Sequence, residues 1–251
     1  MIEDFLYIGH RGTRTDLDEN TFDAFKKAIE YGANYIELDV RKTRDKKFII
    51  LHDETLDRTM IGSGLVKNYD YKQLKKILTR NNRFQIPLLS EVLLGLKEKT
   101  NFIIELKDEG LREDVPKLVN EYSLLKEVIF SGRLLRDLLS IKLKYPQSSI
   151  CYNITKGVDF TLPNFMNQSK QMENNFKPDL ISLKSTLISP KFIEMCHKNN
   201  ILALAWDFLK RKNPLKCIKS IARLGIDGIL FDNHKNIPKI KSWIETSKTL
   251  I

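Results

Sequence analysis

The residues best placed to do chemistry lie in YIELDVRKTRDKKFIILHDETLDRT, positions 35 to 59. Glu37 and Asp39 stand two apart inside one apolar run, and His52 follows at the end of a second. Strand side chains alternate between faces, so the two carboxylates point one way and Ile36, Leu38 and Val40 the other. NFIIELK (101–107) repeats the arrangement with Glu105 and Lys107, and His10 closes FLYIGH just before Arg11 and Gly12. Carboxylates turned into a protein interior are costly unless they are paired or hold a cation. Glu37, Asp39 and Glu105, with no cysteine among them, make a hard oxygen site suited to Mg²⁺ or Ca²⁺ rather than a thiolate-bound zinc. His10 and His52 supply a general acid and a general base near neutral pH, with the two roles left unassigned. Arg11, as a bidentate fork, and Lys107, as a point charge, suit a phosphate. A cation, two proton carriers and positive donors around one pocket are what cleavage of a phosphodiester requires.

Positioning these residues takes a parallel sheet. Nine apolar, β-rich runs are strand candidates: 5–10, 35–40, 48–52, 101–107, 127–132, 149–154, 179–184, 201–206 and 228–232. Stretches of helical periodicity lie between most of them, including TFDAFKKAIEYG, LLSEVLLGLKEK, RLLRDLLSIKLK, SPKFIEMCHKNN and NPLKCIKSIARLG. Several of these end in Gly or Asn, as a helix C-cap does, and Asn20 is the expected N-cap of the first helix. Alternation of this kind predicts a (β/α)8 barrel once one strand is set aside. Only seven residues separate Val40 from Phe48, too few for a parallel crossover of about a dozen residues. Residues 48–52 are therefore expected to return as a hairpin arm, its turn near Arg44–Asp45–Lys46, bringing Leu51 and His52 beside Leu38 and Asp39. The Lys- and Asn-rich segment 54–86 reads as a small insertion over the barrel mouth, with one helix in DYKQLKKIL. Residues 1–251 are expected to form one domain.

Bulk properties narrow the function further. At 251 residues, with 42% hydrophobic content, the chain has enough material for a barrel core. The net charge of +10 comes from Lys and Arg spread along the chain, without a basic run or interleaved aromatics. That distribution favours an anionic small substrate or a basic surface over a nucleic-acid footprint. Cys151, Cys196 and Cys217 are scattered and odd in number, which fits a reducing compartment. With neither a signal-peptide pattern nor an apolar run of the roughly 20 residues that span a bilayer, the expected location is the cytoplasm, without stable membrane insertion. His197 and His234 read as structural or solvated. Trp206, in ILALAW, suits a core as well as a ligand contact.

The order HRG, ENT, IELDV, LHD with TLDRT, PLLSEVL, IELK, Trp206 and GIDGILFD resembles the glycerophosphodiester phosphodiesterases, over residues 8 to about 232. The resemblance implies a TIM barrel with a small insertion after the HD motif. It also implies metal-dependent hydrolysis of glycerophosphodiesters to sn-glycerol 3-phosphate and an alcohol. By motif, His10 and His52 are then the acid–base pair, Glu37, Asp39 and Glu105 bind Mg²⁺ or Ca²⁺, and Arg11 and Lys107 hold the phosphate. Trp206 would line the glycerol side. The chain departs from the family pattern at Asp18, where a proline is usual, at Lys46 or Lys47 in place of the hairpin glycine, and at Asp207 and Phe208 after the tryptophan. Two other readings stand beside this one: a lysophospholipase D or phospholipase D-like relative acting on lipid, and a non-catalytic phosphate- or RNA-binding barrel.

Overall fold

The structure, a computed structural model, describes residues 5–167 and 177–248. Each of the nine apolar runs forms a strand: β1 (Leu6–His10), β2 (Tyr35–Lys42), β3 (Phe48–Ile50), β4 (Asn101–Leu106), β5 (Val128–Gly132), β6 (Ser149–Asn153), β7 (Leu180–Lys184), β8 (Leu202–Trp206) and β9 (Gly228–Phe231). Eight of them pair in parallel in the order β1-β9-β8-β7-β6-β5-β4-β2, and β1 pairs again with β2 to close the barrel. β3 stays outside the ring and runs antiparallel to β2, with Val40 opposite Ile50 and Lys42 opposite Phe48. The next rung follows the same register, because the Leu51 amide donates to the Asp39 carbonyl at 2.9 Å. The hairpin turn closes through Thr43 and Lys47, with Lys46 in the left-handed region at φ 59°.

Helices cover the outside of the ring: α1 (Phe22–Glu30), α2 (Tyr71–Leu74), α3 (Leu89–Leu96), α4 (Leu111–Glu121), α5 (Leu135–Lys144), α6 (Leu162–Met166), α7 (Pro190–Lys198), α8 (Pro214–Ala222) and α9 (Asn236–Lys248). The outward set of strand residues, such as Ile36, Leu38, Val40, Phe102 and Ile104, joins helix residues such as Phe25, Leu93 and Val115 in the main core. Wholly burying a side chain the size of Phe25 contributes about 1.5–3 kcal/mol. The inward set fills the barrel itself with Leu6, Ile8, Ile103, Ile129, Cys151, Leu180, Leu204 and Leu230. Gly9 keeps α1 close to β1, since a Cβ there would lie 2.6 Å from both the Ala28 Cβ and the Gly12 carbonyl oxygen.

The start of α1 differs from the sequence expectation. Thr21, extended at φ −121°, is the N-cap, and its hydroxyl accepts from the Ala24 amide. Asn20 has turned into the left-handed region at φ 60°, and its side-chain amide donates to Asp39 Oδ2 at 2.8 Å. Asn20 Oδ1, the atom that would cap a helix, instead faces the Asp39 amide at 3.4 Å, so both ends of its side chain serve the site and Thr21 takes over the cap.

Segment 54–86 builds a satellite core of its own. Leu56, Met60, Val66, Leu74 and Ile86 pack against Ile49 and Leu51 from the hairpin arm. It holds one short 3₁₀ turn (Val66–Asn68) and α2, which is a single turn at the expected helix.

Candidate active site

At the C-terminal ends of β2 and β4 the register sets Asp39 beside Glu105, with Glu37 one inward position deeper. One oxygen from each of Glu37, Asp39 and Glu105 lies within 4.8 Å of the others. Glu37 and Asp39 are buried, and the Glu105 side chain is 12% exposed. Two cations stand against them. Lys107 reaches Asp39 Oδ1 at 2.9 Å and Glu105 Oε1 at 2.8 Å, while Arg11 Nε lies 3.2 Å from Asp39 Oδ2. Burial drives Asp39 upward, but Lys107, Arg11 and the Asn20 hydrogen bond overcome it and hold the carboxyl below its usual range. Glu37 goes the other way: burial, and the charges of Asp39 and Glu105, push it well above the ordinary carboxylate value.

The donor set fits a divalent cation. Asp39 Oδ1 and Glu105 Oε1 are buried and make no directed hydrogen bond beyond their ion pairs with Lys107. Three carboxylates face two cations, and Glu37 carries the strain of that excess in its raised pKa. Two Ca–O bonds of about 2.4 Å span the observed spread of oxygens, and Mg²⁺ would draw them closer.

Both histidines are held through Nδ1 by a carboxylate. His10 Nδ1 lies 2.7 Å from Asp232 Oδ1, and His52 Nδ1 lies 2.6 Å from Asp53 Oδ1. Nε2 is then the ring nitrogen left outside these contacts, and in His10 it lies 4.0 Å from Glu37 Oε2. Burial pulls the His52 pKa down to about 4, with Arg11 and Lys107 adding to the effect against the pull of Asp39. His52 is also held by its backbone, because Arg41 donates from Nε and Nη2 to its carbonyl at 3.0 and 2.9 Å. Arg41 is itself tied to Asp108.

An outer ring of charges braces these groups. Glu19 takes Arg11 Nη1 at 2.7 Å, Arg14 Nε at 3.2 Å and Arg58 Nη2 at 2.6 Å. Burial opposes ionisation of Glu19, yet Arg58, Arg11 and Arg14 lower its pKa to about 2. Asp232 accepts from Arg14 Nη1 at 2.9 Å and from the Phe208 amide at 2.7 Å besides its contact with His10. Rim backbone is strained where the ligands converge: Arg11, Asn20 and Asp207 have φ of 54°, 60° and 67°. At Arg11 the strain turns the amide onto Glu37 Oε2, at 2.9 Å.

His10, Arg11, Glu37, His52, Glu105 and Trp206 line one pocket, joined by Ser131, Asn153, Lys156 and Ser182 at the ends of β5, β6 and β7. Asp39 and Lys107 sit behind the pocket wall against its carboxylates, so all eight residues expected from the sequence meet at one rim. Trp206 Nε1 and Asn153 Oδ1 are buried without a hydrogen-bond partner. The departures after the tryptophan point away from the pocket. Phe208 is in the core, and Asp207 pairs with Lys184 at 3.2 Å. His234 is buried with Nδ1 3.0 Å from the Thr13 hydroxyl, while His197 is exposed beside Asp227, so neither enters the site.

Sequence reasoning missed Asp232, Glu19, Asn20 as a brace, Arg41 and Lys156. The only signal for Asp232 was its place at the end of the last strand motif, GIDGILFD, directly across the β1–β9 pairing from the HRG motif.

Phosphoric diester hydrolysis is the chemistry such a rim serves, and the chain falls in that class of enzyme. A family model described as "Glycerophosphoryl diester phosphodiesterase family" matches residues 10–236, and the chain belongs to that family. It is 30% identical over 244 residues to a glycerophosphodiester phosphodiesterase of Caldanaerobacter subterraneus subsp. tengcongensis, covering 92% of this chain and 96% of the relative. A glycerophosphodiester phosphodiesterase of Bacillus altitudinis is 36% identical over 247 residues, covering 93% and 97%. The fold is similar to that of an Oleispira antarctica phosphodiesterase solved with its product sn-glycerol-3-phosphate, with a TM-score of 0.77, 22% identity and 96% of each chain covered.

Proposed function

We propose that the chain is a single-domain, cytoplasmic enzyme that hydrolyses glycerophosphodiesters to sn-glycerol 3-phosphate and an alcohol. The observation that carries this reading is the convergence of three carboxylate oxygens within 4.8 Å beside two imidazoles, each fixed through Nδ1 by its own carboxylate. The product bound in the Oleispira antarctica relative supports the choice of substrate. The free cysteines, Cys151, Cys196 and Cys217, support a reducing compartment. Among the described residues no helix is long and apolar enough to cross a membrane.

In this mechanism Glu37, Asp39 and Glu105 would hold Mg²⁺ or Ca²⁺, which would supply charge neutralisation at a phosphoryl oxygen and acidification of the attacking hydroxyl. Arg11 and Lys107, already aligned against the carboxylates, direct their donors at the remaining phosphoryl oxygens. Attack comes from a water, or from the glycerol 2-hydroxyl to give a cyclic phosphodiester that a water then opens to glycerol 3-phosphate. One imidazole takes that proton on Nε2, and the other protonates the departing alcohol oxygen. Asp232 and Asp53 keep both rings in register and stabilise whichever imidazolium forms.

The test is release of glycerol 3-phosphate from a glycerophosphodiester panel with Mg²⁺, Ca²⁺ or EDTA. EDTA and the substitutions His10→Ala and His52→Ala should each lower turnover at least a hundredfold. Full activity in any of these conditions refutes the scheme.

A further inference from the structure

Resting on the phosphodiesterase reading, we propose that the substrate carries a second negative charge on one of its two alcohol arms, received by Lys156 with Arg133. Lys156 ends the 3₁₀ turn that follows β6 and lines the same pocket as His10, His52, Glu37 and Glu105. Arg11 and Lys107 are already ion-paired with carboxylates of the site, and their remaining donors serve the scissile phosphate in the proposed mechanism. Lys156 makes no ion pair among the described residues, and neither does Arg133, which follows β5 on the same rim. Their charges repel rather than neutralise one another. Burial, and then the positive charge of Lys107, lowers the Lys156 pKa against the pull of Glu105, with Arg133 and Arg11 adding to the lowering.

Two further features show what the pocket lacks. The buried indole nitrogen of Trp206 donates to nothing, so the Lys156 side of the pocket offers two unpaired donors beside a single unpaired neutral acceptor, Asn153 Oδ1. The Lys156 ammonium also stands 5.5 Å over the Trp206 ring. That aromatic face is where a quaternary ammonium head group would seat by cation–π attraction, and it is taken by a fixed cation. A choline-type arm would meet repulsion there, whereas an anionic arm would find a charge-assisted partner.

Space for such an arm exists. A groove of about 310 Å³ lies at the ends of β4 and β5 against α4 and α5, with Lys107 and Arg133 in its wall. Its acids Asp108 and Asp137 are neutralised by Arg41 and Arg112, which leaves exposed Glu109 as the groove's one carboxylate without an ion pair among the described residues. A phosphate monoester on the substrate arm is the chemistry that best meets Lys156 and Arg133 together.

The experiment compares sn-glycero-3-phosphoglycerol with the same diester bearing a terminal phosphate monoester, using the metal-loaded enzyme and its variants. The wild type should show the higher kcat/KM on the phosphorylated diester. Lys156→Met should lower that preference about 10- to 100-fold, chiefly through KM, and Lys156→Arg should restore most of it. Arg133→Gln, at an exposed position that cannot disturb folding, should lower the preference by a smaller factor. An equal loss on both diesters in Lys156→Met would put this lysine on the scissile phosphate and overturn the proposal. A wild type indifferent to the second phosphate would overturn it as well, while leaving the phosphodiesterase reading intact. Failure to cleave either diester would defeat that reading and the proposal together.

Discussion

Replacing Asp232 by Asn tests the site at its least obvious member. The carboxylate bonds His10 Nδ1 and Arg14 Nη1 through Oδ1, at 2.7 and 2.9 Å, and the Phe208 amide through Oδ2 at 2.7 Å. An amide of the same shape cannot satisfy all three. With its oxygen kept toward His10, its NH₂ confronts the Phe208 N–H, donor against donor, in a buried setting. The unsatisfied donor costs about 1–3 kcal/mol, which lowers Tm by roughly 2–4 °C per kcal/mol in a chain of this size. Catalysis loses a charge-assisted bond when His10 carries its proton, worth about 1.5–3 kcal/mol, or a fall of about 10- to 150-fold in kcat. With the amide flipped, the imidazole is forced into the wrong tautomer and the loss is larger. Single-turnover kinetics with glycerophosphodiester substrate, alongside calorimetry, separate the two costs. A kcat within twofold of wild type in a folded Asp232→Asn enzyme would refute the orienting role.

Acid should destabilise the fold in two windows, followed by Tm against pH. His52, depressed to about 4, is protonated more readily in the unfolded chain, so stability is full above pH 6.5 and falls as pH drops toward 4. His52→Gln should flatten that interval. Glu19, lowered to about 2, contributes about 3 kcal/mol that is present above pH 4.5 and lost as pH falls to 2. Gly12→Ala should cost about 2–5 kcal/mol in denaturant unfolding, because φ is 77° and a Cβ would lie 2.5 Å from the Ala24 carbonyl carbon. Arg41→Met, which releases the His52 carbonyl, should lower kcat about tenfold with little change in KM, and an unchanged kcat would mean that the hairpin alone positions the ring.

Much of this architecture is legible in the linear chain because strand periodicity and crossover length are local properties. Glu37 and Asp39 two apart, and Glu105 and Lys107 two apart, announce which face they share. The seven-residue gap after Val40 excludes a parallel connection, and β3 is indeed antiparallel. Partners that meet across the closure of the ring are not legible. Asp232 and His10 are 222 positions apart, and an aspartate ending a strand has no feature that distinguishes it from a loop cap. Asn20 shows the opposite failure: a good local motif for a cap lost to a long-range demand from Asp39. Lys156 and Arg133 are ordinary basic residues in sequence, and only their place on the rim without an ion pair among the described residues sets them apart.

The hairpin outside the ring gives the two pocket histidines, the proposed acid–base pair, unequal foundations. His10 ends a strand paired on both sides within the barrel. His52 hangs from an arm that alternates between two cores, with Ile49 and Leu51 in the satellite core of the insertion and Ile50 in the main core. Small peripheral cores open more readily than the body of a domain. A sub-global opening that melts segment 54–86 would therefore withdraw one proton carrier while the carboxylates and His10 stay assembled. Sequence drift in that segment can then retune one half of the acid–base pair, leaving the barrel that holds the other half untouched.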